Sequence, residues 1–124
     1  MGKKQKRHKN AWNERKMKME KIYFTITGTS HYYGQEFIEP KMEVKLVKDP
    51  ENEYDTEAIK VELEGLGQIG FVANSPYTVM GESMSAGRLY DRIGDETKGV
   101  VKYVLPKGVL CEVVEEKAMH KGYY

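Results

Sequence analysis

The chain has 124 residues, 40% of them hydrophobic, and a formal net charge of +1. This is enough for one domain that buries a core without metals or disulfides. Its single cysteine, Cys111, excludes an internal disulfide and supplies no cluster of zinc ligands. No apolar run approaches the roughly 18 residues that span a bilayer. These features predict a reduced, cytoplasmic protein.

Charge is distributed unevenly along the chain. Residues 1–21 carry nine Lys or Arg against two Glu, whereas the remainder carries 11 basic and 17 acidic side chains. Residues 1–20 have too little apolar surface to offset the entropy of ordering them, which predicts a disordered basic arm. That arm either contacts phosphates without sequence preference or only improves solubility. A domain over 21–114 and a tail over 115–124 complete the predicted organisation.

From Lys21 onward, the hydrophobic period is two, which is typical of strands. The first predicted strand, residues 22–28, turns Phe24 and Ile26 inward and Thr25 outward. The same alternation or apolar character predicts five further strands, at 42–48, 58–64, 68–73, 100–105 and 109–114.

Residues typical of turns and helix caps lie between these predicted strands. Gly65 predicts a hairpin between the third and fourth strands. Ser75 and Pro76 predict the N-cap and first position of a short helix, and residues 85–94 predict a second that stops near Gly94. About six short strands with one or two inserted helices indicate a mainly β protein. We expect a small closed or partly open barrel, because a single sheet would leave its edges exposed.

Two kinds of chemistry are poorly supported. Residues 49–60 carry acids at the spacing of a calcium loop, but Tyr54 occupies the position that needs glycine and Lys60 the position that needs glutamate. The segment is more typical of a turn between strands. His31 and Asp55 could form a base and its orienting carboxylate, yet no nucleophile completes the set. We therefore predict neither enzyme activity nor a cofactor or metal.

Ring side chains form the most distinctive pattern. His31, Tyr32 and Tyr33 are adjacent between two glycines, and Tyr54 and Asp55 lie in the loop after the next strand. A barrel can bring both loops to one face. Exposed rings bind single-stranded nucleic acid because every base has a face to stack on, and a carboxylate can accept a hydrogen bond from a sugar hydroxyl. Alternatively, one tyrosine buries its ring and the others only cover the surface.

Three segments carry a family resemblance: ITGTSHYYGQEF, VKLVKDPENEYDTEAIKVE and GLGQIGFVANSPYTV. Over roughly residues 21–114 the chain resembles the HIRAN domain, found in chromatin-remodelling and fork-remodelling helicases and as a free-standing domain in bacteria and phages. The most specific piece is D-P-x-N-x-Y-D-x-x-A-I, from Asp49 to Ile59. The chain looks most similar to the free-standing form. The resemblance implies an OB-like barrel.

The resemblance also implies a function. Helicase-linked members capture the free 3′ end of single-stranded DNA with rings stacked on the terminal bases and an aspartate on the 3′-hydroxyl. By position, Tyr32 would be the principal stacking ring, Tyr54 would pack against the terminal nucleotide, and Asp55 would accept from the hydroxyl. We further expect Tyr33 to anchor the loop inward. The full set of predicted nucleic-acid-binding residues is His31, Tyr32, Tyr33, Tyr54, Asp55, Phe71 and Asn74.

Two positions depart from the helicase-linked pattern. His31 stands where those members carry an arginine on the phosphate, and Phe71 replaces a polar contact residue. The predicted partner is single-stranded DNA, with a connection to DNA repair and with no membrane or small-molecule ligand. The alternative is a protein-interaction module that uses the same aromatic groove and contacts DNA only through the basic arm.

Overall fold

A computed structural model describes residues 21–114; the predicted basic arm, 1–20, and the predicted tail, 115–124, lie outside the described residues. No helix within the described range is long and apolar enough to cross a membrane. The elements in chain order are β1 Tyr23–Thr27, a 3-10 turn Thr29–His31, β2 Glu43–Asp49, β3 Ala58–Leu63, β4 Gly67–Val72, α1 Ala86–Tyr90, β5 Glu96–Leu105 and β6 Gly108–Val114.

The six strands close into a barrel in the order β1-β4-β3-β2-β5-β6, with β6 pairing back onto β1. All six pairings are antiparallel. Closure leaves no free sheet edge, so the prediction of a mainly β protein built on a small barrel is confirmed. The inward-facing side chains form one core, which includes Phe24, Ile26, Val44, Leu46, Ile59, Val61, Ile69, Val72, Leu89, Val101, Val109 and Cys111.

The predicted hairpin at Gly65 and the predicted helix after Ser85 are confirmed. Gly65 joins β3 to β4 with a φ of 85°, a conformation that glycine adopts without a steric penalty. Ser85 is the N-cap of α1, and its side chain accepts a hydrogen bond from Arg88 N. The helix ends at Tyr90, four residues earlier than Gly94.

The predicted exposure of Thr25 is wrong. Its side chain is fully buried, although it alternates with the core residues Phe24 and Ile26. The Thr25 hydroxyl lies 2.8 Å from the Ser83 hydroxyl and accepts a hydrogen bond from Met80 N at 3.2 Å. The segment after β4 therefore covers the outer face of β1, and the buried hydroxyl is satisfied by that segment.

The predicted helix at Ser75 is also wrong: the segment is a single turn. Ser75 does act as a cap, since its hydroxyl accepts from Tyr77 N at 3.0 Å and its carbonyl accepts from Val79 N at 2.9 Å. The next amide, Met80 N, donates to Thr25 rather than continuing a helical ladder. Tertiary packing onto β1 thus ends the helix after one turn.

Cys111 lies in the barrel core, and burial raises the pKa of its thiol from 9.0 to about 12. Burial disfavours the charged thiolate, so at pH 8 the native protein carries far less thiolate than the unfolded protein. We expect a disulfide reagent at pH 8 to modify the native protein far more slowly than the urea-unfolded protein. Equal rates in the two states would contradict the buried position of the thiol.

Candidate nucleic-acid interface

A tight turn after β1 carries the three adjacent rings. Gly28 and Gly34 bound it with φ values of 75° and 78°, which L-residues with a side chain rarely adopt. The carbonyl of Thr29 accepts from both Tyr32 N at 2.9 Å and Gly34 N at 2.8 Å. These bonds hold the turn so that the rings lie on the outside of the barrel.

The rings of this turn differ in their contacts. Tyr32 is 38% exposed and packs edge-on against Phe71, with ring centroids 6.3 Å apart and an interplanar angle of 62°. Tyr33 is 57% exposed, so the prediction that it anchors the loop inward is wrong. Adjacent side chains on a tight turn diverge, and Tyr32 is the one that reaches Phe71. His31 is also exposed.

Phe71 lies on the outer face of β4, in the middle of a three-strand row. It is paired with Thr27 of β1 on one side and with Lys60 of β3 on the other. Directly opposed residues in antiparallel strands project to the same face. The Tyr32–Phe71 ring pair therefore has a lysine as its immediate neighbour across the sheet.

Gly70 allows the turn that carries the three adjacent rings to approach β4 closely. A Cβ atom at this position would lie 2.7 Å from Thr27 O and 3.4 Å from Thr29 Cγ2. Sequence analysis did not single out this glycine. The signal was a glycine inside a predicted strand, which often marks the close approach of another backbone.

Asn52 organises the second loop, between β2 and β3. Its Oδ1 atom accepts from Tyr54 N at 2.9 Å and from Asp55 N at 3.1 Å, while its Nδ2 atom donates to Asp49 Oδ2 at 3.1 Å. This arrangement confirms that the segment is a turn between strands. It leaves the Tyr54 side chain 90% exposed.

The Asp55 carboxylate is held in place by two donors. Glu57 N donates to Oδ1 at 2.9 Å, and Asn74 Nδ2 donates to Oδ2 at 2.8 Å. Asn74 in turn accepts from Gly87 N at 2.8 Å, which connects this loop to α1. An ionised carboxylate has about four acceptor sites, so each oxygen retains capacity for a further donor.

Four of the predicted residues thus form two clusters, one that includes Phe71 of β4 and one that includes Asn74, two residues after β4 ends. Tyr32 and Phe71 form the first, which we call the ring pair, and Asp55 and Asn74 form the second, which we call the carboxylate corner. Phe71 and Asn74 are three residues apart in the chain, so their Cα atoms are separated by at most about 11 Å. The carboxylate corner lies beside the exposed Tyr54.

Charge differs between the two clusters. Residues 49–57 include five acidic and no basic side chains, so the carboxylate corner is strongly negative. The ring pair has Lys60 beside it. Within residues 21–114, no group of three or more His, Cys, Asp or Glu side chains is arranged to hold a metal ion.

A closed antiparallel barrel of six short strands with exposed rings at one turn defines the fold class of this protein. The HIRAN domain model matches residues 19–116, and the chain belongs to the HIRAN domain family. Comparison with the sequences of curated proteins gave no match.

Solved structures include similar folds. The HIRAN domain of human HLTF is 22% identical, with a TM-score of 0.51 over 75% of this chain and 74% of that one. A protein from Lactobacillus plantarum is 19% identical, with a TM-score of 0.48 over 77% of this chain and 97% of that one. The likeness to the human domain supports the barrel architecture.

Proposed function

We propose that this protein binds single-stranded DNA at a 3′-hydroxyl end, as a recognition module without catalytic activity of its own. HIRAN domains are known as DNA-binding modules. The observation that carries the proposal is the carboxylate corner: Asp55 is fixed by Asn74 and Glu57 N and lies next to a tyrosine that is 90% exposed.

Recognition of the end follows from the chemistry of Asp55. A terminal hydroxyl can donate to a free acceptor site of the carboxylate, whereas an internal nucleotide has no such donor and a 3′-phosphate brings like charge. The five acidic side chains of residues 49–57 add to that repulsion. The choice of the 3′ end rests on the resemblance to helicase-linked HIRAN domains.

The rings supply the remaining binding energy. Tyr54 would pack against the terminal nucleotide, and the ring pair would stack on bases further from the end. Stacking is tolerant of sequence because each base offers a π-face. We therefore expect little preference among base sequences.

Replacing Asp55 tests the proposal directly. We expect Asp55→Ala to weaken binding of a 3′-hydroxyl oligonucleotide about tenfold or more, because a hydrogen bond to a charged acceptor is lost. Binding of the matching 3′-phosphate oligonucleotide should change little or improve. Fluorescence anisotropy with both oligonucleotides gives the two affinities.

Glu53→Ala is the matched control, since it removes one negative charge from the same loop. If the two variants alter the preference for a hydroxyl end equally, the effect is only electrostatic and the role assigned to Asp55 is wrong. Melting temperatures of both variants separate loss of binding from loss of fold.

One observation favours a second candidate, a protein-interaction module on the same aromatic surface. Residues 21–114 carry 15 acidic and 10 basic side chains, a balance that opposes a polyanion. Under this candidate, DNA binding would depend on the basic arm alone. It would then show no end preference and would disappear at moderate salt.

A further inference from the structure

We propose that Lys60 is the barrel residue that contacts a DNA phosphate, at a linkage next to the base stacked on the ring pair. This inference rests on the proposed function, because it assigns a cation to the same bound strand. It concerns a residue outside the predicted set, and its basis is the position of Lys60 in the barrel.

The sheet register places Lys60 beside the ring pair. Lys60 is paired with Phe71 across the β3–β4 ladder, so their Cβ atoms lie about 5 Å apart on the same outer face. A lysine side chain has a flexible four-carbon stem, which lets its ammonium group reach beyond the ring. A base stacked on Tyr32 and Phe71 would leave its own phosphate at the edge of the rings, within that reach.

Other lysines of the neighbouring strand are already engaged. Lys45 Nζ lies 3.8 Å from Glu96 Oε1, and Lys48 Nζ lies 4.5 Å above the centroid of the Tyr90 ring. Lys60 takes part in neither of the two ion pairs found within residues 21–114. It is also half-buried.

Lys60 also accounts for how an acidic barrel can hold DNA. The negative carboxylate corner suits a neutral hydroxyl, whereas the phosphates further along the strand need a cation. Lys60 places one positive charge directly beside Phe71, on the β3 side of the ring pair.

Combining a substitution of Lys60 with an uncharged linkage in the DNA tests this contact in the full 124-residue chain. Single-stranded DNA with a 3′-hydroxyl is compared with versions in which one of the last three phosphodiester linkages is replaced by an uncharged methylphosphonate. At one of these linkages, we expect the replacement to weaken binding to the wild type about fivefold, since one ionic contact is lost. The same replacement should change binding to Lys60→Gln by less than about twofold.

Salt dependence gives a second readout. Lys60→Gln keeps much of the stem but removes the charge, and we expect it to lower the slope of log K against log salt by about 0.7, the value for one phosphate on a single strand. Lys98→Gln is the control: Lys98 is exposed on β5, where it pairs with Lys45 rather than with the ring pair. This control should retain the wild-type sensitivity to methylphosphonate.

The inference is overturned if Lys60→Gln and the wild type lose the same factor at every replaced linkage. If the wild type still prefers the hydroxyl end in that case, only the assignment of Lys60 fails. If the wild type shows no preference for the hydroxyl end and no sensitivity to any replaced linkage, the proposed function fails as well.

Discussion

Gly70→Ala is expected to be the most destabilising glycine substitution in the described chain, lowering the free energy of unfolding by about 3 kcal/mol. The added Cβ would lie 2.7 Å from Thr27 O and 2.9 Å from Ile26 Cγ2. The first of these is a backbone atom of β1, which pairs with β4 and cannot swing aside as a flexible side chain could. For a domain of this size, the loss corresponds to a fall in melting temperature on the order of 15 °C.

Gly94→Ala is the matched control, because its Cβ would have no neighbour closer than 3.9 Å. We expect urea unfolding to show a change of less than about 0.5 kcal/mol for this variant. Similar midpoints for the two variants would contradict the close approach of β1 to β4. Gly70→Ala should also weaken DNA binding, since Thr27, whose carbonyl must shift, is next to Gly28, where the turn that carries Tyr32 begins.

Tyr32→Ala is expected to cause the largest loss of DNA affinity with the fold retained, about tenfold to a hundredfold. Removal of one base-stacking ring costs about 1–3 kcal/mol. Tyr32 is 38% exposed and touches Phe71 only at its edge, so its loss leaves the core intact. Anisotropy with a 3′-hydroxyl oligonucleotide, together with the melting temperature, measures both effects.

Two further variants sharpen this test. Tyr32→Phe keeps the ring and should bind within about twofold of the wild type, because stacking needs the π-face rather than the hydroxyl. Tyr103→Ala removes a tyrosine that is 60% exposed on β5, a strand that pairs with β2 and β6 rather than with β4, and should have no effect. If Tyr103→Ala weakens binding as much as Tyr32→Ala does, the ring pair is not the stacking surface.

The barrel could be predicted because the strands obey simple alternation. In β2 and β3, Val44, Leu46, Ile59 and Val61 face the core at the predicted spacing. Thr25 is buried where the alternation predicts exposure, because a segment more than 50 residues away covers it through Ser83 and Met80. That contact depends on the tertiary fold, and local periodicity carries no information about it.

The helix predicted at Ser75 failed for the same reason. The cap residues behave as the sequence indicates, but Met80 N bonds to the buried hydroxyl of Thr25 and the turn stops. Tertiary hydrogen bonding overrode a local preference worth only a fraction of a kcal/mol per residue. The second helix, which has no such competitor at its N-cap Ser85, formed.

The candidate site was only partly predictable. Asp55 and Asn74 are 19 residues apart, and only the pairing of β3 with β4 brings their side chains to 2.8 Å. The same pairing sets Lys60 beside Phe71, which no sequence motif indicated. Tyr33 was assigned the wrong orientation because three adjacent rings on a turn give no periodicity from which to choose the buried one.

The proposed binding of a 3′-hydroxyl end can be measured in a single comparison. The full chain is titrated against 5′-labelled single-stranded DNA that carries either a 3′-hydroxyl or a 3′-phosphate, at about 0.15 M salt where exposed long-range charge effects are screened. We predict that the hydroxyl end binds about tenfold tighter or more. Equal affinity for the two ends would contradict recognition of the 3′-hydroxyl by Asp55.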